Sequence, residues 1–138
     1  MFDIAYHGDG QPAQVKTIAA RQGVPIRFLE QIFLKLKRAD LVSSRRGPRG
    51  GYALSQPASA IQLGVIIRAL EGATSFRSAD ADAPDGDSAS REITERMFDS
   101  LAEAVDRLFD GHTLADLCDQ AEEAGVRRGP PRRYVYSI

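Results

Sequence analysis

The sequence predicts a mainly α-helical chain carrying one small β-hairpin, and three features predict it. Two short apolar-striped segments meet across Gly23, a loop of glycines and arginines (residues 46–51) separates two strand-like runs, and Ile93, Met97, Leu101, Val105 and Leu108 recur at helical spacing. With 138 residues, 43% of them hydrophobic, the chain suits one modest domain with an arm or a tail and is too small for a large enzyme barrel.

Met1, Phe2, Ile4 and Ala5 read as the last turn of an amphipathic helix ended by Gly8-Asp9-Gly10. Val15, Ile18 and Ala19 then place one apolar stripe on a helix over residues 15–22, which Gly23 ends. Pro25 suits the first turn of a second helix, whose apolar face is read as Phe28, Leu29, Ile32, Phe33 and Leu36, running to Ala39-Asp40. Leu41 to Arg45 and Tyr52 to Ser55 read as a hairpin with a six-residue tip, Arg46-Gly47-Pro48-Arg49-Gly50-Gly51. Beyond Pro57, Leu63, Ile66, Ile67 and Leu70 form a helical stripe stopped by Gly72.

Residues 73–90 are small, acidic and poor in apolar side chains, the composition of a mobile connector. The stripe from Ile93 to Leu108 then predicts a helix of roughly 20 residues that must pack against something. Thr113 with Asp116 resembles a capping arrangement for a last helix bearing Leu114, Leu117, Cys118 and Ala121 and closed by Gly125. This gives four segments: a first module over 1–72, the connector 73–90, two helices in 91–125, and a basic, aromatic tail over 126–138.

The net charge of −1 conceals a dipolar chain. Residues 1–60 hold nine Lys/Arg against four acids, residues 73–125 hold four Arg against fourteen acids, and residues 126–138 hold four Arg and no acid. A polyanion is therefore the expected partner of the first half. A single cysteine, Cys118, excludes an internal disulfide and an all-cysteine metal site, and no cofactor is expected. No apolar run approaches the roughly 18 residues that span a bilayer, so the expectation is a soluble, cytoplasmic protein with no membrane partner.

Helix, glycine turn, helix and basic hairpin, in that order, match a winged helix-turn-helix, in which the second helix enters the DNA major groove. Arg27, Gln31 and Lys35 are spaced by four on the side opposite Leu29, Ile32 and Leu36, where glutamine suits adenine edges and the cations suit guanine or phosphate. In the wing, glycines let the backbone come close to a ligand while Arg46 and Arg49 project from a thin ribbon suited to a narrow minor groove. The run lacks the Gly-Lys-Ser/Thr ending of a nucleotide-phosphate loop and leads into a strand. Lys16, Lys35, Lys37 and Arg45 are read as phosphate contacts, and Arg27, Gln31 and Arg49 as base discriminators. The bland alternatives are a solvated helix face and an ordinary charged turn.

Ile18-Ala19, Phe28-Leu29-Glu30-Gln31-Ile32, Leu36, Leu41-Val42, Ser44, Arg46-Gly47-Pro48, Gly50-Gly51-Tyr52 and Ile67-Arg68-Ala69-Leu70-Glu71-Gly72 together resemble the Rrf-type bacterial transcription regulators. The resemblance covers residues 1 to about 125 and is nearest to the cysteine-metabolism branch of that family. It implies a homodimeric winged-helix repressor or activator on double-stranded DNA with a pseudo-palindromic operator. It puts Arg27, Glu30 and Gln31 on the recognition helix, Arg46 and Arg49 on the wing, and the dimer interface on the helix from about Ser90 to Asp110. In the family the first helix begins earlier. Members that sense iron–sulfur status carry three cysteines in the connector, and residues 73–90 contain none, so the resemblance here implies no cluster.

The last residues, with Tyr134, Tyr136 and Ile138, resemble the tail of the cysteine-metabolism repressor, which implies cysteine synthase (O-acetylserine sulfhydrylase) as a partner: a free carboxylate on an apolar side chain can be captured by backbone donors. The rival is an apolar end that folds onto its own domain or frays. A different class of function stays open beside the DNA-binding one, a protein-interaction module acting through this tail. No nucleophile–base pair, carboxylate dyad or metal cluster assembles with any specificity, so an enzyme is not expected. Cys118 is read as a buried, inert thiol, and His7 and His112 as surface residues.

Overall fold

The computed structural model describes residues 1–76 and 88–129. Among the described residues, six α-helices and one two-stranded antiparallel sheet follow in the order α1 (Phe2–His7), α2 (Val15–Gln22), α3 (Ile26–Arg38), β1 (Val42–Arg45), β2 (Gly51–Leu54), α4 (Leu63–Glu71), α5 (Ser88–Asp110) and α6 (Leu114–Glu123). A 3-10 turn at Ala58–Ala60, which the apolar pattern does not signal, joins β2 to α4. The mainly helical class with a small hairpin is the one the sequence predicts.

Local chemistry sets the element ends. Gly23 ends α2 in the left-handed conformation (φ 64°), where a side chain would be strained, and α3 starts three residues later behind Pro25. At the far end of α3, Asp40 adopts φ 56° and the Leu41 amide donates back to the Leu36 carbonyl (3.0 Å), which turns the chain into β1. The capping box of α6 is present in both directions, Asp116 N–H to Thr113 Oγ1 and Thr113 N–H to Asp116 Oδ2.

Phe33, Leu36, Val42, Ile61 and Leu114 are the largest fully buried side chains, so the core gathers α3, the base of the hairpin, the segment before α4 and the first residue of α6. Four expectations are corrected. Phe28, assigned to the apolar face of α3, is 59% exposed, because α2, the hairpin and α4 together bury only the arc of Leu29, Phe33 and Leu36. Gly51 pairs with Arg45 inside the sheet, which shortens the wing tip to residues 46–50. The long helix begins at Ser88, inside the range 73–90 given to the connector, and the remainder of that segment from residue 77 lies outside the described residues. His7 is not a free surface residue: its Nδ1 accepts a hydrogen bond from the Gly129 amide at 2.8 Å.

α1 is the fastener of the fold. Tyr6 Oη donates to the Val126 carbonyl (2.7 Å), and the Arg128 guanidinium lies 5.0 Å above the Tyr6 ring, so α1 holds the strand of chain that leaves α6. On its other side Asp3, only 4% exposed, accepts from Arg21 Nε (2.9 Å) and Nη2 and from Gln22 Nε2 (3.2 Å), joining α1 to α2. Burial pushes the Asp3 carboxyl up, but the hydrogen bonds from Arg21 and Gln22 and the Arg21 charge outweigh it and hold the group below the ordinary carboxylate value.

Because the folded-state pKa of Asp3 lies below the unfolded one, the pair stabilises the protein fully above the unfolded value and the contribution is lost as pH falls through the folded one. Arg21→Ala, which strands a buried carboxylate, should cost about 2–3 kcal/mol at neutral pH. In urea titrations the stability gap between the parent and Asp3→Asn should narrow below about pH 4; a gap of constant size from neutral pH down to pH 3 contradicts this assignment.

Candidate nucleic-acid interface

The surface built around α3 has one buried and one outward arc. At about 100° per residue, Leu29, Phe33 and Leu36 point inward, and the opposite arc carries Arg27, Gln31, Leu34 and Arg38, all exposed. Leu34 and Arg38 did not enter the sequence reading, although the spacing 27, 31, 34, 38 is the signal that finds them. The two flanks are engaged. Lys37 Nζ donates to Ser44 Oγ in β1 (2.9 Å), and Glu30 lies on that same flank one heptad earlier, whereas Lys35 Nζ donates to the Leu70 carbonyl at the end of α4 (2.7 Å). Lys35 therefore stands apart from Arg27 and Gln31, with which the spacing grouped it.

The wing is held at its base by backbone pairing and by a ring stack. Ala13 and Tyr52 exchange amide-to-carbonyl hydrogen bonds of 2.8 Å in both directions, so the residue ahead of α2 pairs with β2. The Tyr52 ring lies on the Phe33 ring, with centroids 4.2 Å apart and planes 9° from parallel. Two glycines of the motif then have definite duties. Gly51 has φ 152°, and a Cβ there would collide with the Ala13 carbonyl oxygen; Gly47 has φ 108° and opens a tight turn closed by Gly50 N–H to the Gly47 carbonyl (2.8 Å). Gln14 Nε2 reaches across to the Pro48 carbonyl (3.2 Å), tying the turn to the start of α2.

Arg45, Arg46 and Arg49 are exposed on this hairpin, and Lys16 is exposed in the first turn of α2. The structure thus puts Lys16, Arg27, Gln31, Arg45, Arg46 and Arg49 on one module whose three elements are cross-fastened. Tyr134, Tyr136 and Ile138 lie outside the described residues.

Helix, turn, outward-faced helix and anchored basic ribbon define a winged helix-turn-helix, the DNA-reading module of a transcriptional regulator. The family model described as Rrf2, iron-dependent transcriptional regulators, matches residues 1–120, and the chain belongs to that family. It is 34% identical over 126 residues to the HTH-type transcriptional regulator IscR of Yersinia pseudotuberculosis, covering 88% of this chain and 74% of the relative. Among solved structures it is similar to CymR, the global cysteine regulator of B. subtilis (37% identity, TM-score 0.67, 86% of this chain and 87% of that one). It is likewise similar to T. potens IscR (35% identity, TM-score 0.69, 93% and 84%). These relatives are regulators, not enzymes.

The family description raises iron, and the donor chemistry here does not fit a thiolate-held cluster. The sequence has one cysteine, and none between Gly72 and Ser88. Cys118 is half-buried on α6, less enclosed than the sequence reading had it, and burial together with Asp119 pushes its thiol up, away from the thiolate form a metal needs. Among the described residues no three His, Cys, Asp or Glu side chains come together as a metal site.

Two substitutions separate the wing's charge from its anchoring. Arg49→Ala should weaken binding to a specific duplex about tenfold or more, in line with 1–3 kcal/mol for one good base contact, and leave thermal stability within about 0.5 kcal/mol. Gly51→Ala should lose about 1–3 kcal/mol of stability as well as affinity. Equal affinity of Arg49→Ala and parent, by fluorescence anisotropy at fixed salt, removes the wing from the interface.

Proposed function

We propose that this chain is a sequence-specific, homodimeric DNA-binding regulator, acting as a repressor in the cytoplasm on a pseudo-palindromic operator. The observation that carries the reading is the two-sided character of α5. Ala102, Asp106, Phe109 and Asp110 face the body of the protein, whereas Ile93 (62% exposed), Met97 (61%), Leu101 (47%) and Leu108 (64%) form an uncovered apolar stripe along the opposite side. A stripe of that length on a helix of 23 residues suits a second copy of the same helix, and the twofold so generated sets two recognition helices about 34 Å apart, near one DNA turn. Within each half-site Arg27, Gln31 and Arg49 discriminate bases, Glu30 lines the flank of the same helix, and Lys16, Arg45 and Arg46 supply salt-sensitive phosphate and minor-groove attraction. Lys35, tied to the Leu70 carbonyl, borders these residues and adds its charge to the phosphate attraction.

The regulated genes, in this reading, serve cysteine and sulfur metabolism without an iron–sulfur cluster. Likeness to a global cysteine regulator and a connector sequence without cysteine support that choice. The C-terminal residues Tyr134, Tyr136 and Ile138 would engage cysteine synthase through the free carboxylate of Ile138, a suggestion supported by the chemistry of the terminal residues alone.

Leu101→Asp should convert the dimer to a monomer in sedimentation and lower operator affinity by about a hundredfold or more, since the second half-site is lost. A monomeric parent that binds its operator as tightly overturns the dimer. Parent affinity should fall steeply with salt on a log–log plot; binding indifferent to both salt and sequence favours the protein-interaction module. For the tail, deleting Ile138 should abolish heat of binding to cysteine synthase in calorimetry, and unchanged affinity discards that partner.

A further inference from the structure

We infer that α4 is a rigid strut fixing the recognition helix to the dimer helix, and that Arg68 is the positioning residue that makes the protein measure the spacing between half-sites. The inference rests on the dimeric DNA-binding reading above and deepens it.

α4 is fastened along its whole length to the α5–α6 side of the molecule. At its start, Leu63 N–H donates to the His112 carbonyl (2.9 Å) and Leu114 N–H donates to the Ile61 carbonyl (2.8 Å), so the residues flanking Gln62 and Thr113 form a short bridge. In its middle, Arg68 Nη2 donates to Asp110 Oδ1 (2.7 Å) and Nη1 stands 3.7 Å from Asp106 Oδ1. Gly64 leaves room for this ion pair, because a Cβ there would collide with the Asp110 carboxylate in its present rotamer. Just past its end, Thr74 Oγ1 donates to the same Asp106 Oδ1 (2.6 Å). The opposite side of the C-terminal turn belongs to the DNA-binding module, where Lys35 of α3 donates to Leu70.

These contacts do not form a hydrophobic core. Arg68, Asp106 and Asp110 are each about one-third exposed, and half-exposed ion pairs add little to global stability. What they do is geometric. A planar guanidinium spanning two carboxylates one turn apart on α5 fixes rotation of α4 about its axis, and with it the direction in which α3 leaves. In a twofold dimer, any rotation of α4 against α5 moves both recognition helices in opposite senses, so rigidity here becomes selectivity for spacing.

The test uses the full-length protein and duplexes that the parent selects from a randomised library, then the same duplexes with one base pair inserted or removed at the centre, which shifts one half-site by about 3.4 Å and about 35°. The parent should lose about 30-fold or more in affinity on the altered spacing. Arg68→Gln should bind the original spacing about five- to tenfold more weakly and lose less than about threefold on the altered one, with unchanged dimerisation in sedimentation and unchanged affinity for random duplex. Asp110→Asn, which retains side-chain shape, should act in the same direction, and Arg68→Lys should restore part of the spacing penalty. If both Arg68→Gln and Asp110→Asn stay dimeric and keep the parent's penalty, the strut is wrong. If the parent enriches no duplex at all, the DNA-binding reading fails and takes the strut with it.

Discussion

The interface depends on one join, at Tyr52. Its backbone pairs with Ala13 ahead of α2 and its ring stacks on Phe33 in α3, so a single residue ties the wing to both helices of the DNA-reading pair. A two-stranded hairpin alone is marginally stable in water, and four residue pairs would not hold Arg46 and Arg49 in a fixed place. With Tyr52 locked, the tip, the recognition helix and the start of α2 move as one body. Gly51 is the condition for this lock, since the strand must pass flat against the Ala13 carbonyl.

From that body outward, each connection has a different physical character. The core beneath α3 is apolar and sets stability. The fastening of α1 to α2 is ionic and buried, and responds to acid. The contact between α4 and α5 is ionic and half-exposed, and sets orientation more than stability. The far side of α5 is apolar and uncovered. The chain's charge asymmetry follows this plan: cations crowd the winged module, and acids crowd α5 and α6.

Much of this was legible in the sequence. Gly23, Pro25 and Gly72 marked helix ends because only particular backbone conformations suit those residues, and the Thr113–Asp116 capping box was readable from two letters. What escaped was whatever depends on which face a third element covers. Phe28 matches the apolar pattern of α3 yet stands in solvent, since periodicity reports where a stripe lies and not how wide its cover is. The role of Asp3 has no signal in the sequence, because Arg21, 18 residues away, meets it only in the fold. The sequence reads His7 as a surface residue and Lys35 as a phosphate contact, whereas each closes a hydrogen bond to a distant backbone group. Gly50 and Gly51 look alike in sequence, but one ends a turn and the other begins a strand, a distinction fixed by the Ala13 pairing.

The claim that wing and recognition helix act as a single gripping body in each half-site is tested most directly by hydroxyl-radical footprinting on a selected duplex, comparing the parent with an Arg46→Ala/Arg49→Ala double variant. Each half-site should show protected sugars in the minor groove next to the major groove that receives α3. The double variant should lose the minor-groove protection while the backbone protections around the major groove persist in the same register. Protection confined to one groove in the parent, or a register that moves when the wing is discharged, would contradict the account.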